Sequence, residues 1–506
     1  MTRDSKEASH PESLWSKGIQ LGKELAKLAV DKTSGLLKTS TFGGSKPSSV
    51  PLTVPPDQLA RVRNRWEEEL QQPSGLPARS LPAKEAALVR ELLEQTSHLN
   101  HNNVTRTTAY GEFYDKHPDV HWALLAHMVS RNGGWNMTDL RGDLLPRLLD
   151  ASHIEAVFEM MERANALIFQ DAYPQLLLYE QSLRWNRPLF HLLPMLHVSR
   201  FMRPVWELFW DGGSSSLLTI ALIINEQNYI QGRVAEHPAY QKALDPLIRL
   251  MQAVAQTNQV VFPCKPASSE SAGLSIHDGA HTQERDGRNT SGRSSSGGSS
   301  YTGAASSLEG CTDGSGQGDS DTVEQSPADA SAAPADQAAS FASTAASARL
   351  TPWPLYGRVM EHFVDLHERI EFGKQLYALL FGLPAAREGF LRFAREVPHT
   401  GSRADYWPQL FQAAAAPKAF PSSPYTERLK GGALREGASP LCSPELRSAW
   451  PARPVQAPER YDWFRDLSPV AHLTTAQAEA PADITREHSA GLRRLELAIL
   501  ARELID

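Results

Sequence analysis

Four histidines and two arginines carry most of the chemistry that this sequence could support. His117, His121 and His127 lie close together, and His399 stands far downstream. His117 and His121 are four residues apart, a spacing that sets two ligands on one helix face. Yet His117 precedes Pro118 and so falls at a helix break, and His127 is six residues past His121, off that face. No HExxH is present. These histidines read as core or capping residues, and no metal site is expected. An anion site is the stronger reading. Arg131 and Asn132 precede Gly133 and Gly134, and Asn136 follows. The glycine pair is expected to end one helix, Asn136 to cap the next, and Asp139 to lie in its first turn. Amides exposed at a helix start beside an arginine attract anions.

A second polar segment, PHTGSRADYWP over residues 398–408, supplies His399, Ser402 and Arg403. The expectation is that the two segments meet in one polar pocket. Arg131, Asn132, Asn136, Ser402 and Arg403 would bind a small anion there. His121, His127, Asp139 and His399 are the catalytic candidates if the pocket does chemistry. The competing reading is turn chemistry, with Gly as C-cap, Asn as N-cap and Arg tying down loop carbonyls. Ser130 and Ser402 lack a GxSxG elbow, and neither GxxxxGK[ST] nor GxGxxG occurs, so no cofactor can be named.

The elements that would position these residues are helices. Apolar residues at 3.6 spacing predict helices over 58–70, 83–98, 105–116 and 118–131, with Pro118 in the first turn of the last and His117 as its cap. Further helical stretches run over 144–169, 173–185, 189–198, 203–210, 214–230 and 238–262. After the interruption described next they continue over 356–381, 385–397, 444–450, 461–466 and 484–504. No strand series with alternating pattern is evident, so the class is all-α: a multi-helix globular core. Residues 265–350, with runs such as SGRSSSGGSS, cannot bury enough apolar surface to offset their ordering entropy and read as a long disordered low-complexity insert. The expected organisation is a leader over 1–50, a first core half over 51–264, the insert, and a second core half over 351–506. Within the leader, residues 14–37 place Trp15, Ile19, Leu25 and Leu28 on one helical face with lysines interleaved. That face suits docking on the core, and a peripheral membrane contact is the alternative.

Composition narrows the partners. The net charge is -7 over 506 residues, with no global basic excess, so nucleic-acid binding is not expected. The apolar run 217–224 is far short of the roughly 20 residues of a spanning helix, and no transmembrane segment is expected. The three cysteines, Cys264, Cys311 and Cys442, are far apart. They form no disulfide framework and fit a reducing cytoplasm.

The stretch NNVTRTTAYGEFYDKHPDVHWALLAHMVSRNGGWNMTDLRG resembles a bacterial family of unknown function, domain of unknown function 2515, the YppC-like proteins. LIINEQNYI at 222–230, HERIEFGKQLYALLF at 367–381 and PHTGSRADYWP carry the same resemblance. It implies one fold on both sides of the insert and brings no activity with it. Two readings follow. One is a cytoplasmic helical binding or scaffold protein for a small anion or a protein partner. The other is an enzyme acting on a phosphorylated or anionic substrate through 121–139 and 399–405. A deep pocket lined by both segments favours ligand or enzyme, and a fully packed polar network favours architecture.

Overall fold

Helix after helix forms where apolar side chains recur at three- and four-residue spacing. The computed structural model describes residues 49–72, 81–241, 259–267, 353–360, 362–415, 423–457, 461–479 and 482–505. The first helix, α1 (Pro56–Gln71), starts on a proline whose ring already sets a helical φ, and it buries Val62 and Trp66. Next come α2 (Ala83–Leu99) and α3 (Asn103–Lys116). The start of α3 is a capping box: the Asn102 side chain accepts from the Thr105 backbone, and the Thr105 hydroxyl accepts from the Asn102 N–H. It is followed by α4 (His121–Asp139), α5 (Ala151–Trp185), α6 (Met202–Trp210) and α7 (Ser215–Ile230). Leu217, Leu218 and Ile220–Ile224 of α7 are all buried, and α4, α5, α6 and α8 (Leu366–Phe381) pack around it. A helix apolar nearly all round has no face to give to water, and α7 is the centre of the core. The remaining helices among the described residues are α9 (Pro384–Glu396), the short α10 (Leu446–Ala449) and α11 (Ser468–Ala471), and α12 (Thr485–Ile505).

Among the described residues, three two-stranded ladders depart from the all-helix expectation without changing the class. Residues Gln259–Pro263 (β1) and Leu355–Val359 (β2) pair antiparallel, from Gln259 opposite Val359 to Pro263 opposite Leu355. Phe411–Gln412 (β3) pairs parallel with Leu441–Cys442 (β6), and Leu429–Lys430 (β4) forms a hairpin with Ala433–Leu434 (β5). The ribbon β1–β2 brackets the low-complexity segment: the Cys264 N–H donates to the Pro354 carbonyl, so the chain leaves and re-enters the core side by side. The described residues before and after that segment pack into one unit.

Several expected boundaries are corrected. The helix expected to end at Gly133–Gly134 runs on to Asp139, so Asn136 caps nothing and Asp139 lies in a last turn. The reason is close approach. A Cβ on Gly134 would stand 2.6 Å from Asn103 Oδ1 and 2.8 Å from the His399 ring, so glycine here admits neighbours and does not break the helix. The α4 N-cap is Val120; His117 instead closes α3, and Pro118 lies in the turn between. The stretches 144–169 and 173–185 are a 3-10 turn (Leu145–Arg147) followed by one continuous helix, α5, that contains Pro174. Residues 189–198 form a 3-10 segment, Phe190–Leu196. The ends of the expected helices 238–262 and 356–381 are strands, because each is satisfied by the other across the intervening segment. The expected helix 461–466 is irregular. The amphipathic stretch 14–37, most of 238–262 and the insert lie outside the described residues.

Candidate functional site

The face of α4 that bears His127, Ser130, Arg131, Gly134 and Thr138 repeats at three- and four-residue intervals and meets two other elements. On one side is α3, whose Asn103 and Thr107 are also four apart. On the other is the loop 397–405. Asn103, fully buried, donates to the Ser130 carbonyl (2.8 Å) and hydroxyl (3.0 Å) and accepts at Oδ1 from His399 Nε2 (2.9 Å). The Thr107 and Ser130 hydroxyls are 2.6 Å apart, and His127 Nδ1 donates to the Thr107 carbonyl at 2.8 Å. This arrangement places the His399 proton on Nε2, so Nδ1 faces the Asp405 carboxylate, 3.6 Å away. Asp405 in turn accepts from Thr400 N–H (3.0 Å) and Oγ1 (2.7 Å).

Arg131 is 0% exposed. Its Nη2 donates to the Val397 and Pro398 carbonyls, and the guanidinium lies 4.5 Å over the Phe393 ring. Nε and Nη1 are buried and have no acceptor among the described residues. His127 Nε2 and His399 Nδ1, the unprotonated nitrogens of these tautomers, are likewise buried and have no hydrogen-bond donor among the described residues. Burial lowers Arg131 to about 10, and burial with the neighbouring Arg131 charge lowers His127 to about 3. Burial takes His399 to about 4 against the opposing pull of Asp405. Both imidazoles are neutral at pH 7.

One turn further on, Arg403 grips Asp139: Nε reaches both carboxylate oxygens at 2.8 Å and Nη2 reaches Oδ2 at 2.5 Å. Burial alone would lower the Arg403 pKa, but the Asp139 carboxylate holds it above the ordinary arginine value. Arg403 also reaches Asn136 Oδ1 (3.3 Å) and the Tyr406 hydroxyl, which is 3.0 Å from His488 Nε2. Ser402, buried, donates to the Ser443 carbonyl. Asn132 clasps strand β1, donating to the Val261 carbonyl (2.7 Å) and accepting from its N–H (2.8 Å). Thr138 donates to the Gly401 carbonyl at 2.6 Å. Beside Arg403 and Asp139, a cavity of about 30 Å³ is lined by Asp143, Cys442, His488 and leucines. That is room for about one water molecule.

The two polar segments of the sequence therefore come together, and their residues divide among three jobs. Arg131, Ser130, His127 and His399 form one cluster with Asn103, Thr107 and Asp405. Arg403, Asp139 and Asn136 form a neighbouring one. Asn132 and Ser402 hold backbone. His121 stands apart, stacked on Phe381 with ring centroids 4.0 Å apart and 2.9 Å from the Tyr377 hydroxyl; burial brings it to about 4. His117 sits 3.8 Å from Glu180.

The chain matches the family described as Protein of unknown function (DUF2515) over residues 98–286 and 340–491. The chain belongs to this family. A relative within reach is the Uncharacterized protein YppC of Bacillus subtilis (strain 168), 45% identical over 185 residues, which is 36% of this chain. That alignment spans 58% of the relative's length. No solved structure matches. In this DUF2515 chain, sequence reasoning passed over Asn103, Thr107 and His488. The signal for the first two was present as Asn and Thr four apart on the α3 face that opposes α4. His488 joins only through α12.

A further buried cluster lies beneath α4. Asp171 accepts from Asn225 (2.5 Å) and Gln175 (3.1 Å), and Glu226 accepts from Trp122 Nε1 (3.1 Å). Glu226 is half-buried as a residue, and withdrawal of its carboxylate from water pushes it up to about 8; burial with Glu226 nearby raises Asp171 as well.

Proposed function

We propose that this chain is a cytoplasmic helical binding protein in which the cluster of Asn103, Ser130, Arg131 and His399 receives a small anion or an anionic group of a partner. The observation that carries this reading is Arg131. A guanidinium withdrawn wholly from water, with two nitrogens lacking acceptors, is an unfavourable state that an added acceptor relieves. The carbonyls of Val397 and Pro398 satisfy one nitrogen and fix the plane of the others. Neutral His127 and His399 beside it add no second positive charge, and their unprotonated nitrogens accept a hydrogen bond from an anionic group that keeps one proton. Close packing around Arg131 means that the ligand enters by displacing part of the 397–405 loop.

A second reading, an enzyme on an anionic substrate, is favoured by the Asp405–His399 pair at 3.6 Å. A carboxylate beside an imidazole suits acid–base work once the proton sits on Nδ1 and Nε2 is free to act as base, which requires His399 to release the Asn103 Oδ1 contact. Asn103 separates His399 from the Ser130 hydroxyl, so in this arrangement His399 cannot act as base toward Ser130. Any role for it is on the ligand.

The test is thermal unfolding of the wild type and an Arg131→Met variant against inorganic phosphate, sulfate, sugar phosphates and nucleotides. A ligand at a hundred times its Kd adds roughly 2.7 kcal/mol of stability. The expected outcome is a shift with at least one anion that disappears in a folded Arg131→Met protein. If no anion shifts the wild type and Arg131→Met is destabilised by itself, the cluster is architecture and the binding reading fails. Turnover of the shifting compound, lost in His399→Gln with binding retained, would favour the enzyme.

A further inference from the structure

We propose that His367, Glu371 and His472 form a surface site for one divalent transition-metal ion, best suited to zinc. His367 and Glu371 are four residues apart on α8 and so project from the same face. His472 ends the short α11 and brings the third group from across the fold. One ligand atom from each, two imidazole nitrogens and a carboxylate oxygen, all lie within 4.8 Å of one another. Zinc with bonds of about 2.0–2.2 Å holds tetrahedral ligands roughly 3.3–3.6 Å apart, so small side-chain rotations close the site. Two imidazoles with one carboxylate is a donor set that zinc and its first-row neighbours take, and calcium and magnesium do not.

The surroundings fit this role. Lys374, which is buried, donates to Glu371 Oε1 at 2.8 Å and also reaches the Thr474 hydroxyl. That contact orients the carboxylate, as outer hydrogen bonds do for metal-binding carboxylates. His367 is exposed and the other two are half-buried, so the remaining coordination position opens to solvent. The site shares no residue with the Arg131 cluster and does not depend on it.

The experiment is titration of tag-free, chelator-stripped full-length protein with zinc alone by calorimetry, and with cobalt by visible absorption. The expected result is one ion per chain, with a cobalt spectrum of four-coordinate form. His472→Ala and Glu371→Gln should each weaken zinc by more than the roughly 10–100-fold that loss of an outer partner costs. His362→Ala, an exposed neighbour paired with Glu368, should leave binding unchanged. Circular dichroism shows which variants fold; if His472→Ala does not, Glu371→Gln decides. Absence of stoichiometric zinc binding in the wild type, or wild-type affinity in a folded ligand variant, overturns the proposal.

Discussion

At the scale of single residues, glycine is the instructive case. Gly134 has no side chain because Asn103 and His399 occupy the place where one would be; the two are hydrogen-bonded to each other, and Asn103 is held in turn by Ser130. Gly134→Ala adds helix propensity worth about 1 kcal/mol. Overpacking a site that cannot yield costs about 1–3 kcal/mol, and that term wins. The expected outcome in urea unfolding is a less stable Gly134→Ala protein. Gly232, by contrast, would place a Cβ in open space, and Gly232→Ala is expected to gain up to about 1 kcal/mol. The opposite order of the two variants would mean that the Asn103–His399 contact is not a constraint. The sequence showed the glycine pair and its polar company. It could not show that the pair serves close approach, because the atoms approached come from residues 31 and 265 positions away.

At the scale of elements, α4, α5 and α7 meet around two acids. Burial of its carboxylate pushes Glu226 up to about 8, well above the ordinary glutamate value of about 4.5. Between those values the folded state holds a proton that the unfolded state has released, so stability falls as pH rises from about 5 to 8. Glu226→Gln keeps the Trp122 contact and removes the titration. The expected measurement is a wild-type stability that drops across this window relative to the variant, with the two curves parallel below it. Parallel curves throughout would show that Glu226 titrates normally. The histidines act in the opposite sense: His127 and His399, lowered by burial, cost stability as pH falls below about 6.5. Most helices were legible from apolar spacing, because a helix writes its buried face within a few turns. The strands β1 and β2 were not, since each is five residues long and its partner lies beyond the low-complexity segment.

At the scale of the whole molecule, the β1–β2 ribbon makes the position of that segment intelligible. With Pro263 opposite Leu355, residues 268–352 can be replaced by a short Gly/Ser linker without moving the core. Loop closure costs roughly 0.6 kcal/mol less for each halving of a flexible loop, so the shortened chain is expected to unfold at an equal or higher temperature. Loss of the cooperative transition would mean that the segment contributes to the fold. Across the described residues no helix is long and apolar enough to cross a membrane.

By itself the sequence determined the helical class, the family, the interruption and the two polar segments, because composition, periodicity and long strings of identity are local properties. Only the tertiary structure decided what the polar residues face. It gave Asn132 to a strand, Ser402 to a carbonyl and Arg403 to Asp139, and it left Arg131 buried with nitrogens unpaired. Hydrogen-bond partners of a buried group are chosen by whichever elements pack against it. Here those elements are hundreds of residues apart in the chain.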